Sequence, residues 1–364
     1  MNSQLQRLQV TLKERQIDAV FLQSPVNVAY FSDFESDPHE RVLALVAFSN
    51  QDPFLFTPAL EADDARQSGW MYDIYSYQDH EDPFTIIQQA IMERRSSLST
   101  IGLEEDSLSL SRFKELLKLF PDAAYEDVTS LLQELKVVKT PEEIEKMKQA
   151  GRTADLALKI GFDSLREGIT EQEVVAEIEY QLKKQGVSEM SFATEVLFGD
   201  HAASPHGVPG ERQLQKNELV LFDLGTIHEG YVSDVTRTVA FGSVSDEHKH
   251  IYDVVLQAHL TALNMVRPGV PVSDLDAAAR KVIEDAGYGP YFTHRLGHGI
   301  GKLIHEFPNV MQGNDLILEE GMCFSIEPGI YIPGSVGVRI EDCVYVTKEG
   351  CVSFTHTPKE YKEI

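Results

Sequence analysis

Residues 218–242, ELVLFDLGTIHEGYVSDVTRTVAFG, decide how the second half of this chain folds. Two runs rich in β-branched and large apolar residues flank His228–Gly230, so the stretch predicts a hairpin of two strands joined by a tight turn. Each run carries one carboxylate, Asp223 in FDLG and Asp234 in SDVTRT, and pairing the runs brings both to neighbouring strands. The plan recurs downstream, where GMCFSIEPGIYI (321–332) and GVRIEDCVYVT (337–347) read as two more strands carrying Glu327 and Glu341. Two helical patterns precede each strand pair: one opening at Pro141 and one over about 170–185, then one over about 248–266 and one over about 272–286. Helix, helix, hairpin therefore occurs twice, which predicts an α+β domain with an internally duplicated plan. LQKNELVLFDLG and LILEEGMCFSIEPG each end an apolar strand on a carboxylate.

Burying a carboxylate without compensation costs on the order of several kcal/mol, and such a group neutralises unless a cation holds it ionised. Asp223, Asp234, Glu327 and Glu341 all lie in apolar or glycine-rich runs, as does His298 in RLGHGIG. A pair of divalent cations balances the carboxylates and gives them a common explanation. Oxygen donors with one imidazole suit manganese, iron, cobalt or zinc, and no thiolate is offered that would select zinc. Two metals about 3.5–4 Å apart polarise a carbonyl and bring a water pKa near neutrality, so the predicted chemistry is metal-assisted hydrolysis. Gly297 and Gly299 flank His298, which lets backbone and ion approach closely without a Cβ. His206 in ASPHGVPG and His305 in LIHEFPN are candidates for holding substrate or moving a proton.

The first part of the chain has a different character. Over 1–133 the runs DAVFL, RVLALVAF, PFLFT, YDIYSY and IGLEE alternate with helical patterns near 58–67, 83–95 and 109–120, which predicts an α/β domain. A linker follows over 134–140. The catalytic domain is expected over 141–364, opened by Thr140 as N-cap, Pro141 at the first helical position and Glu143 closing a capping box. The net charge of -26, from 58 acidic and 32 basic residues in 364, argues against nucleic acid and anionic membranes as partners. Three cysteines without CxxC spacing argue against a disulfide framework and predict a reducing, cytoplasmic setting. MNSQLQRLQVTLKERQ reads as an amphipathic helix rather than a signal peptide, and no apolar run reaches the roughly eighteen residues a membrane span needs.

FDLGTIHEGYVSDVTRT, HRLGHGIG, HEFP, EPGIYIPG and GVRIED closely resemble the motifs of the pita-bread metallopeptidases, the family of prolidase, aminopeptidase P and methionine aminopeptidase. The match covers essentially all of 141–364. The preceding α/β domain resembles the creatinase-type N-terminal domain of the proline-specific branch, and the whole chain is similar to the Xaa-Pro dipeptidases of lactic acid bacteria. The resemblance implies that Asp223 binds one metal through both oxygens, that Asp234 and Glu341 bridge two metals, and that His298 and Glu327 complete opposite ends. Glu327 would also take a proton from the bridging water as it attacks the scissile carbonyl. His206 would steady the substrate or relay a proton to the leaving nitrogen, and His305 would contact substrate near the carbonyl. Arg339 would stand beside the ligands or against the substrate. The implied activity is hydrolysis of Xaa-Pro dipeptides by a cytoplasmic homodimer loaded with manganese, with zinc or cobalt as the alternatives. Aminopeptidase action on longer peptides is the near rival, and a non-catalytic binding role is the remote one.

A dipeptidase must hold a free carboxylate directly behind proline, and the planar fork of arginine is the preferred partner. Arg295, Arg339 and Arg41 are the candidates. Some prolidases place an arginine right after the HExP motif, where this chain has Asn309, so Arg295 becomes the first choice. Asp37, His39 and Arg41, in DPHER, lie in a loop expected to close over an active site, that of the partner subunit, and to sense the ends of the dipeptide.

Overall fold

The computed structural model describes residues 2–364, which divide into two compact units between Lys136 and Val137. The first is built on a six-stranded mixed sheet: β1 (Ala19–Leu22), β2 (Ala44–Phe48), β3 (Phe54–Pro58), β4 (Asp73–Tyr77), β5 (Thr100–Leu103) and β6 (Ala124–Asp127). They are ordered β4-β3-β2-β1-β5-β6. Alternate side chains divide between two cores, as the period of a strand requires. Val20, Leu22, Leu45 and Ala47 pack with Leu5, Leu8 and Leu12 of helix α1 (Ser3–Glu14), together with α2 (Pro25–Ser32). On the other face Phe21, Val46, Phe48 and Phe54 pack with Ile87 and Ile91 of the helix Pro83–Arg94 and Leu116 of Leu110–Leu119. The short helix α2 and the strand β6 lie in stretches that the periodicity alone left unassigned.

The second unit opens with α3 (Pro141–Ser164) and α4 (Glu171–Lys184), each started by a complete capping box, Thr140 with Glu143 and Thr170 with Glu173. They back a three-stranded antiparallel sheet of β7 (Glu195–Phe198), β8 (Glu218–Leu224) and β11 (Val235–Phe241), in the order β11-β8-β7. A two-residue ribbon, β9 (Ile227–His228) with β10 (Tyr231–Val232), is inserted between β8 and β11. Its turn at Glu229 and Gly230 has positive φ at both residues, the geometry that favours glycine and suits a tight hairpin.

The second half repeats the plan. Helices α5 (Asp246–Met265) and α6 (Val272–Asp285) pack on strands β12 (Gly297–Gly299), β13 (Glu306–Val310), β14 (Cys323–Ile326), β15 (Gly329–Ile332), β16 (Val336–Arg339), β17 (Asp342–Val346) and β18 (Cys351–Ser353). β14 pairs β17 in a five-stranded sheet, whereas β15 pairs β16 in a separate ribbon. The expected long hairpin thus breaks once on each side, and the breaks fall at Glu327 and Glu341. Among the described residues no helix is long and apolar enough to cross a membrane.

Candidate active site

Three of the predicted carboxylates occupy breaks between strands rather than strand interiors. Asp234 follows β10 and precedes β11, Glu327 sits between β14 and β15, and Glu341 between β16 and β17. At each break the chain leaves one sheet for another, and the freed residue turns its side chain to a common centre. Asp223 lies within β8, in register with Thr236 of β11 and Glu195 of β7. All four line one cavity of about 630 Å³, with Glu195, His206, His294, Arg295, His298, His305, Tyr331 and Arg339 among the other lining residues.

His298 shows how the backbone fixes a candidate ligand. Its Nδ1 lies 3.1 Å from the Gly299 carbonyl, and that contact turns Nε2 toward Glu327 Oε1 at 3.2 Å and Asp234 Oδ2 at 3.7 Å, so Nε2 is the ring atom that would face a cation. The flanking glycines serve packing of β12 on its neighbours: a Cβ on Gly297 would lie 1.9 Å from the Ser325 carbonyl oxygen, and one on Gly299 2.2 Å from that of Phe307. Close backbone approach is therefore their requirement, where the sequence had suggested room for an ion as well. Ser325 donates to Glu327 Oε1 at 3.0 Å, and Thr236 donates to Glu341 Oε2 at 2.7 Å.

The donor set fits a pair of cations. Asp223 Oδ1, Asp234 Oδ1 and Glu341 Oε1 are buried oxygens without a hydrogen-bond partner, and ligand atoms of Asp234, His298 and Glu341 lie within 4.8 Å of one another. Burial, and then the charges of neighbouring Asp223 and Glu327 among others, drive the carboxyls of Asp234 and Glu341 well above the usual range. Burial pushes Glu327 the same way, but the hydrogen bond and charge of His298 prevail and hold it down at about 2. Buried oxygens left bare in this way are what a cation would satisfy.

Arg339 is fully enclosed and heavily engaged. It donates to Asp223 Oδ2, to Tyr331 Oη at 2.8 Å and to Thr236 Oγ1 at 3.0 Å. Tyr331 in turn donates to His294 Nε2 at 3.0 Å, and His294 donates through Nδ1 to the Arg295 carbonyl at 2.7 Å. Burial keeps that imidazole below its ordinary pKa, in line with the neutral tautomer this chain of bonds requires. Arg295 reaches the cavity while donating to Asn309 Oδ1, so the residue that departs from the family pattern holds the arginine by a neutral amide.

His305 packs edge-to-face on His298, ring centres 4.2 Å apart, and burial beside His298 and Arg295 lowers it to about 4. Its turn is pinned by Glu306, which accepts from the amides of Lys302 and Leu303 and pairs with buried Lys139 at 2.9 Å. His206 follows a short helical turn, Gly199–Ala203, whose surroundings are tied by the buried Glu171 carboxylate to Phe198 N, His201 and Gly210 N. Asp37, His39 and Arg41 belong to the first unit. There Asp37 accepts from His39 N at 3.1 Å, His39 takes a positive φ, and Arg41 forks onto exposed Asp79 at 2.8 and 3.0 Å.

Sequence reading missed Glu195, His294 and Tyr331. A lone charge at the head of EVLF reads as a solvent-facing strand end, and Tyr331 in GIYI reads as core. His294, next to Arg295 in THRLGHG, was the one open to notice.

Comparison with known proteins agrees with this geometry. The profile of metallopeptidase family M24 matches residues 145–348, and that of the creatinase/prolidase N-terminal domain matches 4–138. The chain is 49% identical over 362 residues to the Xaa-Pro dipeptidase of Lactobacillus helveticus, covering 99% of this chain and 98% of that protein. Among solved structures it superposes on an Xaa-Pro dipeptidase from Bacillus anthracis with a TM-score of 0.92 at 34% identity, covering 99% of each chain. It superposes on an X-Pro aminopeptidase from Thermotoga maritima with a TM-score of 0.87 at 32% identity, covering 96% of this chain and 99% of that one. Four carboxylates and His298 on one cavity wall, a duplicated helix–helix–hairpin plan and these matches lead to one assignment: the chain belongs to metallopeptidase family M24 and carries a creatinase/prolidase N-terminal domain.

Proposed function

We propose that this chain hydrolyses Xaa-Pro dipeptides, using two divalent cations held by Asp223, Asp234, His298, Glu327 and Glu341. The observation that carries the reading is the shared cavity: the ligand residues line it together with Arg295, which is held by a neutral amide and so keeps its charge for an incoming carboxylate. Similarity to dipeptidases over nearly the full chain supports it.

The bond before proline is a tertiary amide without an N–H, so a protease that reads extended backbone hydrogen bonds handles it badly. A cavity that grips both ends of a dipeptide avoids that need. When bound, the cations would polarise the scissile carbonyl and acidify water. The protein's own groups do the rest. Glu327, oriented by Ser325, accepts the proton of the attacking water. His305 contacts the substrate near the carbonyl, and His206 steadies it or delivers a proton to the proline nitrogen as that nitrogen leaves. Arg295 meets the terminal carboxylate in two parallel hydrogen bonds. Arg339 holds Asp223 and Tyr331 in place.

Manganese is the proposed metal, with zinc and cobalt as alternatives accepted by the same donors. A homodimer in the cytoplasm is the proposed setting. Resemblance supports the dimer, and three free cysteines, two of them buried, support a reducing compartment. The loop of Asp37, His39 and Arg41 is proposed to close over the partner's active site. The deciding experiment is hydrolysis of Leu-Pro against Leu-Pro-Pro and longer peptides by metal-depleted protein, with manganese, zinc or cobalt restored singly. Preference for the longer peptides would favour the aminopeptidase reading suggested by the Thermotoga maritima likeness.

A further inference from the structure

Four buried oxygens on the cavity wall lack a hydrogen-bond partner: Asp223 Oδ1, Asp234 Oδ1, Glu341 Oε1 and Glu195 Oε2. The first three belong to residues assigned to the cations. Glu195 has no such assignment. It heads β7, whose next three residues are fully buried, and stands in register with Asp223 of β8. Its Oε2 lies 3.7 Å from Arg339 Nη2, beyond hydrogen-bond reach, and that guanidinium is already committed to Asp223, Tyr331 and Thr236.

A carboxylate kept for a structural ion pair looks different in this protein. Asp276 takes two hydrogen bonds of 3.0 Å from Arg280 and a third from Leu296 N. Glu218 takes two from Arg212 and one from Gln215 N. Glu195 takes none at Oε2, and the wall of the same cavity includes Phe192 and Ile304, which offer a carboxylate nothing. A buried anionic oxygen facing a substrate cavity calls for a donor that arrives with the substrate.

We propose that Glu195 receives a positively charged nitrogen on the residue that precedes proline, and so sets which Xaa residue the site prefers. The inference rests on the Xaa-Pro reading above. Two nitrogens have this chemistry: the α-ammonium, present on every dipeptide, and the side-chain cation of a basic Xaa residue. With Arg295 at the carboxylate, Glu195 adds a carboxylate that is not assigned to the cations, so the two together match a zwitterionic substrate.

The test compares metal-loaded wild type, Glu195→Gln and Glu195→Leu on Leu-Pro and Lys-Pro. 4-Methylpentanoyl-proline, which is Leu-Pro without its α-amino group, serves as a competitive ligand, and the metal content of each protein is measured. Losing a charged hydrogen bond changes binding by about tenfold or more. If the side-chain cation is the partner, the preference for Lys-Pro over Leu-Pro falls by about that factor in both variants. If the α-ammonium is, KM for both dipeptides rises by about that factor, while binding of the deaminated ligand stays within about twofold. Equal effects on all three compounds, no effect on any, or loss of metal alongside activity would overturn the proposal. Wild type that cleaves no Xaa-Pro bond would instead overturn the functional reading, and this inference with it.

Discussion

Arg339 and Asp223 are joined across the cavity, the guanidinium donating to Oδ2 while Asp223 Oδ1 is left without a partner. The arginine thus occupies one side of a candidate ligand and leaves the other side open. Its fork also reaches Tyr331 and Thr236, and Thr236 passes the connection on to Glu341. One residue therefore orients Asp223 directly and Glu341 through a hydroxyl. Groups that orient metal ligands typically change affinity or activity by about 10- to 100-fold when removed. Arg339→Met is expected to lower kcat/KM and metal affinity by that order. Arg339→Lys should rescue little, because a point charge cannot serve three directions with a planar fork. Steady-state kinetics with metal titration checks both, and full rescue by lysine would refute the bonding account.

Much of this site was legible in the residues alone. The candidate ligands stood out because charge in an apolar run needs a reason, and the twofold helix–helix–hairpin order followed from periodicity. What periodicity could not show was where strands stop. SIEPGIYI reads as one strand, yet the ladder changes sheets at Glu327, and only pairing partners distant in sequence decide that. Glu195 was hidden for the opposite reason. One charge at a strand end looks exposed until β8 and Arg339 are seen to enclose it.

Metal removal is expected to destabilise the protein as well as silence it. Without cations three carboxylate oxygens stay buried and unpartnered. A ligand that binds only the native state at about 100 times its Kd stabilises by about 2.7 kcal/mol. At roughly 2–4 °C per kcal/mol for a unit of this size, chelation should lower the Tm by about 5–10 °C. Manganese should restore it. A thermal scan with and without chelator reads this directly, and an unchanged Tm would count against a loaded two-metal site.

Behind the ligands lies a second buried charge cluster, centred on Asp342, the residue after Glu341. Burial alone would raise its carboxyl, but Arg237 at 2.7 Å, His259 at 3.2 Å and Lys359 hold it far below the usual carboxylate range. A folded pKa depressed below the unfolded value of about 3.9 gives stability that is fully present above that pH and is lost as pH falls below it. Asp342→Asn strands buried cations and is expected to cost about 3–5 kcal/mol at pH 7. The gap to wild type should narrow at pH 3.5. Urea midpoints at the two pH values test the sign, and a gap that widens in acid would contradict it.

The loop of Asp37, His39 and Arg41 makes a separate prediction. His39 is largely exposed, and Arg41 is engaged by surface Asp79, an arrangement of little value to stability. Replacing His39 and Arg41 with alanine should therefore leave the Tm within about 1–2 °C while raising KM for Leu-Pro. Unchanged KM and kcat would remove the loop from the substrate site.

The proposed role of Arg295 at the substrate carboxylate would decide between dipeptide and longer substrate. Asn309 supports it without neutralising it, so its charge is free to meet a carboxylate. Removing a charge-assisted, bidentate partner leaves the substrate carboxylate unpaired and costs about 2–3 kcal/mol, roughly 30- to 150-fold in binding. Arg295→Ala is accordingly expected to raise KM for Leu-Pro by that order with a smaller change in kcat. The contrast with Leu-Pro-amide, which has no carboxylate to lose, separates charge recognition from general damage: wild type should bind the amide weakly, and the substitution should change that binding by no more than about threefold. Asn309→Asp gives the complementary reading. A carboxylate at that position would pair with Arg295 and compete with the substrate, so KM for Leu-Pro should rise while Arg295 is still present. If Arg295→Ala weakens Leu-Pro and its amide equally, the carboxylate anchor must be sought elsewhere in the cavity.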